Sequence, residues 1–386
     1  MTNPIKLTIQ PINSLISRDS RPFGRGQGTR IRSLDWLTPS VVCGSLRSSL
    51  GKSVGAFDAA KLKTVKIRGP FLECEGSLYF PRPLDFVTDK KAKNGNDISG
   101  YVIRPGDLKS GEAMEMPIEL KPAFIQNLPD EDFKPEHIPA FWSADAMSRW
   151  LAGDAGFSLK PSEYLEGPAK DERVHVGINP ETGTSEDSLL FSTTGLDFRV
   201  KRDGKEDWKE ILQMTVAIEA EPPEDYREAL EKNLSPLHVL GGERRLAEWR
   251  RSENINGWTP HRISNITRLR MVLATPAIFS QGWLPGWIDK DNKQGTIPIP
   301  GTSVTVKLVS AVVGRWVPIS GWSYEAQEHG PKPLRRMVPA GSVYFFEAQG
   351  GQPFDSAFLE SVWLRSVCDK EQDQNDGFGA ALWGAW

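Results

Sequence analysis

Cysteine is scarce: Cys43, Cys74 and Cys368 are the only three in 386 residues, and no two share a close spacing. That pattern argues against a disulfide framework and against a Cys-x-x-Cys zinc site, and it suits a reducing cytoplasm. Long apolar runs are missing too. Nothing approaches the roughly 18 consecutive apolar residues of a membrane span, and no charged stretch followed by an apolar one opens the chain. The expectation is a cytoplasmic protein that is neither secreted nor membrane-bound, so the sequons at Asn233 and Asn265 are chance matches. The five histidines (His137, His175, His238, His261, His329) show no metal-ligand spacing, no H-E-x-x-H and no Ser-His-Asp order. An excess of positive charge is also lacking: 47 basic against 50 acidic residues give a net charge of −3. A uniformly basic nucleic-acid binder is thereby excluded, and any anion site must arise from local focusing of charge.

Two phosphate motifs fail on inspection. Gly24-Arg-Gly-Gln-Gly28 lacks the third glycine of G-x-G-x-x-G, residue 29 being Thr. Gly51-Lys-Ser53 follows Leu46 where a Walker loop needs glycine, and it closes a helix where it should open one. No cofactor and no metal is expected.

What is present is an ordinary globular composition, 39% hydrophobic and 25% charged, in a chain long enough for two or three domains. Ile5, Leu7 and Ile9 alternate with polar residues, the period of a half-buried strand. A loop with four arginines and three glycines follows, Arg18 to Arg30. Then comes a helix with Thr38 as N-cap and Pro39 at its first position. Between Arg18 and Lys52 seven basic residues (Arg18, Arg21, Arg25, Arg30, Arg32, Arg47, Lys52) face Asp19 and Asp35. Guanidinium forks on glycine backbone suit phosphate. The competing reading is a solvated loop whose arginines meet surface carboxylates.

Further along, Lys61 to Arg68 alternates, Gly69-Pro70 is expected to break it, and Phe71 to Phe80 reads as a hairpin turning at Glu75-Gly76. An insertion begins near residue 86. It is loop-like to about 135 and extends to about 175. Helices are expected at Ser143–Ala152, Pro222–Asn233 and Asp355–Val367, and strands at Ser188–Val200, Glu210–Glu219, Thr267–Ala274, Val304–Val313 and Ser342–Glu347. In Glu210–Glu219, Leu212, Met214, Val216 and Ile218 form one apolar face. Two α+β units of antiparallel sheet follow from this pattern, with domains at 1–200 and 201–386.

Two more basic stretches accompany glycine: Arg244-Arg245 after Gly241-Gly242, and Lys332-Pro-Leu-Arg335-Arg336 before Gly341-Ser342. Each alone reads as a surface loop, and three together suggest a common groove. Thirteen tryptophans serve mainly packing and subunit contacts, with one or two free to stack on bases. His175 is the best-placed acid or base for RNA cleavage, although a strand histidine more often satisfies a core hydrogen bond.

Taken together, several stretches resemble the third subunit of the type III-B CRISPR Cmr effector complex, of the RAMP superfamily. They are Ile9-Gln-Pro-Ile…Arg18-Asp-Ser-Arg21-Pro-Phe-Gly24, Pro39 to Arg47, Arg68 to Leu72, Leu78 to Asp85 and His175 to Gly183. The later ones are Leu240 to Arg245, Thr275 to Phe279, Gly314-Arg315, Ile319 to Trp322, Gly330 to Pro333, Arg336 to Glu347 and Gly377-Phe-Gly…Leu382-Trp-Gly384. The resemblance implies an α+β fold of two ferredoxin-like (βαββαβ) domains with long insertions. It implies a non-catalytic subunit that holds the 5′ repeat-derived handle of the guide RNA and joins the large polymerase-like subunit to the backbone subunit in antiviral defence. Arg18, Arg21, Arg25, Arg47, His175, Arg244, Arg245, Arg315, Lys332, Arg335, Arg336, Gly341 and Ser342 are the expected RNA-binding residues. Arg25 lies outside the shared motif and is assigned on charge alone. Gly341 to Phe345 matches the RAMP glycine-rich loop, expected to lie against the first strand-loop-helix unit and the RNA. Two alternatives stay open: a metal-independent RAMP endoribonuclease using His175, and a purely structural adaptor.

Overall fold

The computed structural model describes residues 3–20, 29–55, 57–90, 93–94, 97–115, 118–127, 133–154, 156–201, 211–232, 234–263, 266–323, 329–350 and 353–386. In chain order the principal elements are β1 (Ile5–Pro11), α1 (Pro39–Val54), β2 (Lys66–Cys74), α2 (Ala144–Ala152), β3 (Ala169–Ile178), β4 (Ser185–Asp197) and β5 (Thr215–Glu221). They continue with α3 (Glu224–Lys232), β6 (Leu246–Arg251), β7 (Arg268–Leu273), β8 (Thr305–Val312), β9 (Val343–Ala348), α4 (Ser356–Val362) and β10 (Ala381–Ala385). The fold is mixed α+β and strand-rich, with several sheets. Two compact units interleave in sequence: Met1–Glu75 with Gly167–Glu253 and Pro318–Arg335, and Gly76–Glu166 with Asn254–Val317 and Arg336–Trp386.

In the first unit the sheet runs β2-β5-β1-β6, with the short strand Leu237–Val239 on its edge. Every pairing is antiparallel. β1 buries Ile5, Leu7 and Ile9, as its alternation requires. α1 starts at Pro39 and buries Val42, Leu46 and Leu50 along one face, then ends at Gly55 in the left-handed region, where glycine has no Cβ penalty. Gly69-Pro70 does not break β2. It lies inside the strand beside a bulge in the pairing with β5, where a Cβ on Gly69 would sit 2.9 Å from the Ala217 carbonyl. In β5 the expected single apolar face is too narrow a reading. Ala217, Glu219 and Ala220 are buried as well, with Glu219 held by Arg68 at 2.8 Å.

The second unit repeats that strand order with different sequence. Its sheet runs β8-β9-β7-β10, so in both units the second, third, first and fourth strands lie in that sequence across the sheet. A helix links the third and fourth strands in each, α3 and α4. Among the described residues no helix links β7 to β8. α2 packs against β10 instead, so closely that a Cβ on Gly384 would lie 2.3 Å from the Leu151 carbonyl. Ser143 caps α2 by accepting from the Ala146 amide at 3.2 Å. Asp355 caps α4 through the Phe358 amide at 2.8 Å. α4 stops at Val362, short of the expected Val367, and Leu364 takes a positive φ of 55°.

The insertion after residue 86 is partly built into this unit. Phe86 is buried edge-on against Trp142 at 5.2 Å and Trp150 at 5.4 Å. β7 is buried on both faces, and it buries Arg270 completely between Leu269 and Met271. Arg270 donates to Asp85 at 2.7 Å and lies 4.8 Å from the Trp150 ring centre, while Arg104 and the Trp150 indole N–H donate to the same carboxylate at 3.0 and 3.1 Å. A buried charge persists only where partners replace water. Burial lowers Arg104 to about 10, even with Asp85 beside it.

Candidate nucleic-acid interface

The loop leaving β1 dives into the first unit before it resurfaces. Leu15, Ile16 and Ser17 are buried. Leu15 exchanges backbone hydrogen bonds with Leu196 at 3.0 and 2.7 Å, and the Ser17 carbonyl accepts from Leu34 at 2.8 Å. Arg18, the next residue, is exposed and pairs by a backbone bridge with Ser33. Arg21 and Arg25 lie outside the described residues.

Onto Ile16 the chain seats the turn that precedes β6. The Gly242 amide donates to the Ile16 carbonyl at 2.7 Å, and Gly241 has φ 75°. A Cβ on Gly241 would approach that carbonyl to 2.7 Å, so the close approach requires glycine. The turn closes with Leu240 donating to Arg245 at 2.7 Å. Within it Glu243 and Arg244 both take left-handed backbone, φ 56° and 53°, a strained conformation for side-chain-bearing residues that clusters at functional sites. Arg244 is exposed. Arg245 is half-buried and pairs with Glu243 at 2.9 Å.

The base of the β3–β4 ribbon meets the same surface. Asp171 accepts from Arg173 at 2.9 Å and from the Ser14 hydroxyl. Those two hydrogen bonds, with the charges of Arg173 and Arg245 behind them, hold its carboxyl below the usual carboxylate range. Arg18, Arg244 and Arg245 thus stand on one backbone assembly, with Asp171 as the local counter-charge.

Higher on the ribbon, His175 lies opposite Phe191, stacked at 4.9 Å, and its Nε2 is 2.9 Å from the Thr193 hydroxyl. Among the described residues no carboxylate or second base is hydrogen-bonded to it. Val174, Val176, Ile178 and Leu190 are exposed on this ribbon. The same stretch of sequence that singles out His175 contains this aliphatic row, which a search for acid–base residues does not register.

Other expected residues fall elsewhere. Arg47 donates to the Lys63 and Val65 carbonyls at 3.0 and 2.8 Å, closing the turn after the short helix Ala59–Leu62. Lys332 is exposed and Arg335 half-buried. Gly341 and Ser342, expected at the RNA surface, are buried in the second unit. Gly341 donates to Leu273 at 2.7 Å and accepts from Leu84 at 2.9 Å, and a Cβ there would meet the Arg82 carbonyl at 2.4 Å. They hold backbone together and face no solvent. By position in the strand order the glycine turns before the fourth strands are Gly241-Gly242 and Gly377–Gly379, whereas Gly341 precedes a third strand. Arg315 and Arg336 are exposed in the second unit, with the Arg336 guanidinium 4.8 Å from the ring centre of Trp316.

Among the described residues no cluster of three or more His, Cys, Asp or Glu side chains could hold a metal ion, and no helix is long and apolar enough to cross a membrane. Fold and surface together define an α+β protein on two sheets of like strand order, offering arginines on a glycine-backed turn. A family model described as "CRISPR-associated protein (Cas_Cmr3)" matches residues 7–386, and the chain belongs to that family. The resemblance read from the sequence is borne out at that level.

No curated protein matches the chain. Solved structures similar to it include a chain of the type III-B Cmr-β complex bound to cognate target RNA, at 14% identity and a TM-score of 0.48, covering 88% of this chain and 86% of that one. A second Cmr-β structure, with target RNA and AMPPnP, gives 13% identity, a TM-score of 0.47 and the same coverage. A chain of the Csm3–Csm4 subcomplex of the type III-A interference complex gives 10% and 0.37, covering 91% of this chain and 94% of that one.

Proposed function

We propose that this chain is a non-catalytic subunit of a type III-B CRISPR effector complex, working in the cytoplasm, that binds the 5′ handle of the guide RNA and links the large polymerase-like subunit to the backbone subunit. Family membership supports the setting. The observation that carries RNA binding is the assembly of Arg18, Arg244 and Arg245 on the Ile16–Gly242 contact, where fixed backbone presents guanidinium groups in a chain of net negative charge. Arg21, Arg25, Arg315, Lys332, Arg335 and Arg336 extend this reading to further phosphates. Gly341, Ser342 and Arg47 act in it as supports of backbone, and His175 as a ribbon residue near the RNA.

Both units are read as ferredoxin-like domains. Support comes from the strand order second-third-first-fourth in each sheet, complete with both crossover helices in the first unit. A first domain that ended at residue 200 would leave out β5, α3 and β6, which complete the first unit's sheet, so the proposal assigns those elements to the first domain.

The endoribonuclease alternative relies on His175, whose neighbours at contact distance are a hydroxyl and a phenyl ring. Incubating the purified chain with repeat RNA in chelator tests it: intact RNA is expected, and cleavage abolished by His175→Ala would replace the binding reading. Sequencing of RNA that co-purifies with the native chain tests the handle assignment. Short guides with one shared 5′ end are expected, and a random RNA population would refute it.

A further inference from the structure

Of the twelve tryptophans among the described residues, five are buried and five half-buried. Trp142, Trp150, Trp249, Trp363 and Trp383 are all buried, as large aromatic side chains usually are. Two stand out on the surface, Trp316 at 47% and Trp322 at 52% exposure. Trp322 meets an imidazole edge, His329 at 5.7 Å and 86°. Trp316 is different, because the Arg336 guanidinium lies over its ring at 4.8 Å. Arg315, directly before it, is exposed as well. Among the described residues neither arginine is paired with a carboxylate.

Both side chains stand on pinned backbone. Gly314 donates to the Ser342 hydroxyl at 3.3 Å, and a Cβ on it would lie 2.7 Å from the Pro339 ring. Next to Arg336, Met337 and Val338 are buried, and Val338 exchanges backbone hydrogen bonds with Ala277 at 2.9 and 2.8 Å. The pair is therefore ordered before any ligand arrives, which reduces the entropy lost on binding.

An indole with a cation over its ring and a second exposed cation one residue earlier in the chain matches a nucleotide, whose base needs a flat apolar face and whose phosphate needs a guanidinium fork. A protein partner fits less well. A tryptophan anchor works when its surroundings desolvate fully, and two arginines with no carboxylate partner among the described residues oppose that.

We infer that Trp316, held by Arg336, is a stacking subsite for one unpaired base of single-stranded RNA, with Arg315 and Arg336 on the adjoining phosphates. The inference rests on the RNA-binding reading above and adds a base-contacting position in the other compact unit.

The test uses the full-length chain and a single-stranded RNA carrying 4-thiouridine at one position in turn. Irradiation should attach one position to the tryptic peptide that begins at Trp316. Trp316→Ala should weaken binding about 5- to 150-fold, the range for one stacked base, while Trp316→Phe keeps most of the affinity. Removing the base at the crosslinked position should cost a similar factor in the wild type and nothing further in Trp316→Ala. Normal binding that falls with Arg18→Ala and Arg244→Ala but changes less than twofold with Trp316→Ala would overturn this inference alone. So would unchanged RNA binding with loss of a co-purifying protein subunit. A wild-type chain that binds no RNA at low salt would overturn both readings.

Discussion

Before β6 the chain turns through Gly241, Gly242, Glu243 and Arg244; before β10 it turns through Gly377, Phe378 and Gly379. Both turns contain glycines at positive φ, and both hydrogen-bond to the segment that follows the first strand of their sheet. Gly242 donates to Ile16 at 2.7 Å, and Gly379 donates to Pro276 at 2.8 Å. The side chains differ completely. Around the first turn Arg18 and Arg244 are exposed, whereas around the second Phe378, Asp373 and Asp376 are buried. The Thr275 hydroxyl donates to the Gly377 carbonyl at 2.8 Å and accepts from Ala380 at 2.9 Å, so that turn is closed upon its own unit. A shared backbone device therefore meets a requirement of the strand order, and only the residues mounted on it decide whether it is surface or core.

The largest effect that separates the two regions is expected in the core of the second unit. Asp85→Asn leaves Arg270 buried and short of its counter-charge, and removal of one partner of such a pair costs about 3–5 kcal/mol. Chemical denaturation should show that loss, while the salt dependence of RNA binding by the folded fraction stays unchanged. Next come the glycines. Gly379→Ala forces a Cβ within 2.7 Å of the Cys368 sulfur at φ 72°, and Gly241→Ala forces one within 2.7 Å of the Ile16 carbonyl at φ 75°. Each should destabilise by about 1–3 kcal/mol. Only Gly241→Ala should also weaken RNA binding per folded molecule, because it displaces Arg244.

A smaller effect concerns pH. Burial first, and the charge of Arg270 second, lower His261 to about 4. Its unfolded form takes up a proton near the ordinary 6.5, so between about 6.5 and 4 the unfolded state binds more protons and stability falls as pH falls. The second unit should lose about 1–3 kcal/mol across that window, and His261→Phe should flatten the profile measured by denaturant titration.

Local signals were legible in the sequence. The alternation of Ile5, Leu7 and Ile9, the Ser143 and Asp355 caps, Pro39 at the start of α1 and the Glu75-Gly76 turn each depend on neighbours a few residues away. Strand order was not legible, since β2 ends at residue 74 and its partner β5 begins at residue 215. Charge showed where arginines are but not what they touch. Arg47 turned inward to two carbonyls, Arg270 vanished beneath Trp150, and Arg336 found Trp316 twenty positions earlier. Gly341 stood out as a glycine beside basic residues, yet its conformation serves a buried contact with Arg82 and Leu84.

On the proposed function the basic turn on Ile16 meets RNA phosphates and its counterpart before β10 does not. Binding of single-stranded RNA by the full-length chain, followed across salt concentration, addresses this directly with Arg18→Ala plus Arg244→Ala set against Lys370→Ala, an exposed cation close before the second turn. The double substitution should flatten the slope of log K against log salt by about 1.4, about 0.7 for each phosphate that is no longer neutralised, and Lys370→Ala should leave it unchanged. Equal slopes in all three proteins, or flattening by Lys370→Ala alone, would contradict the account.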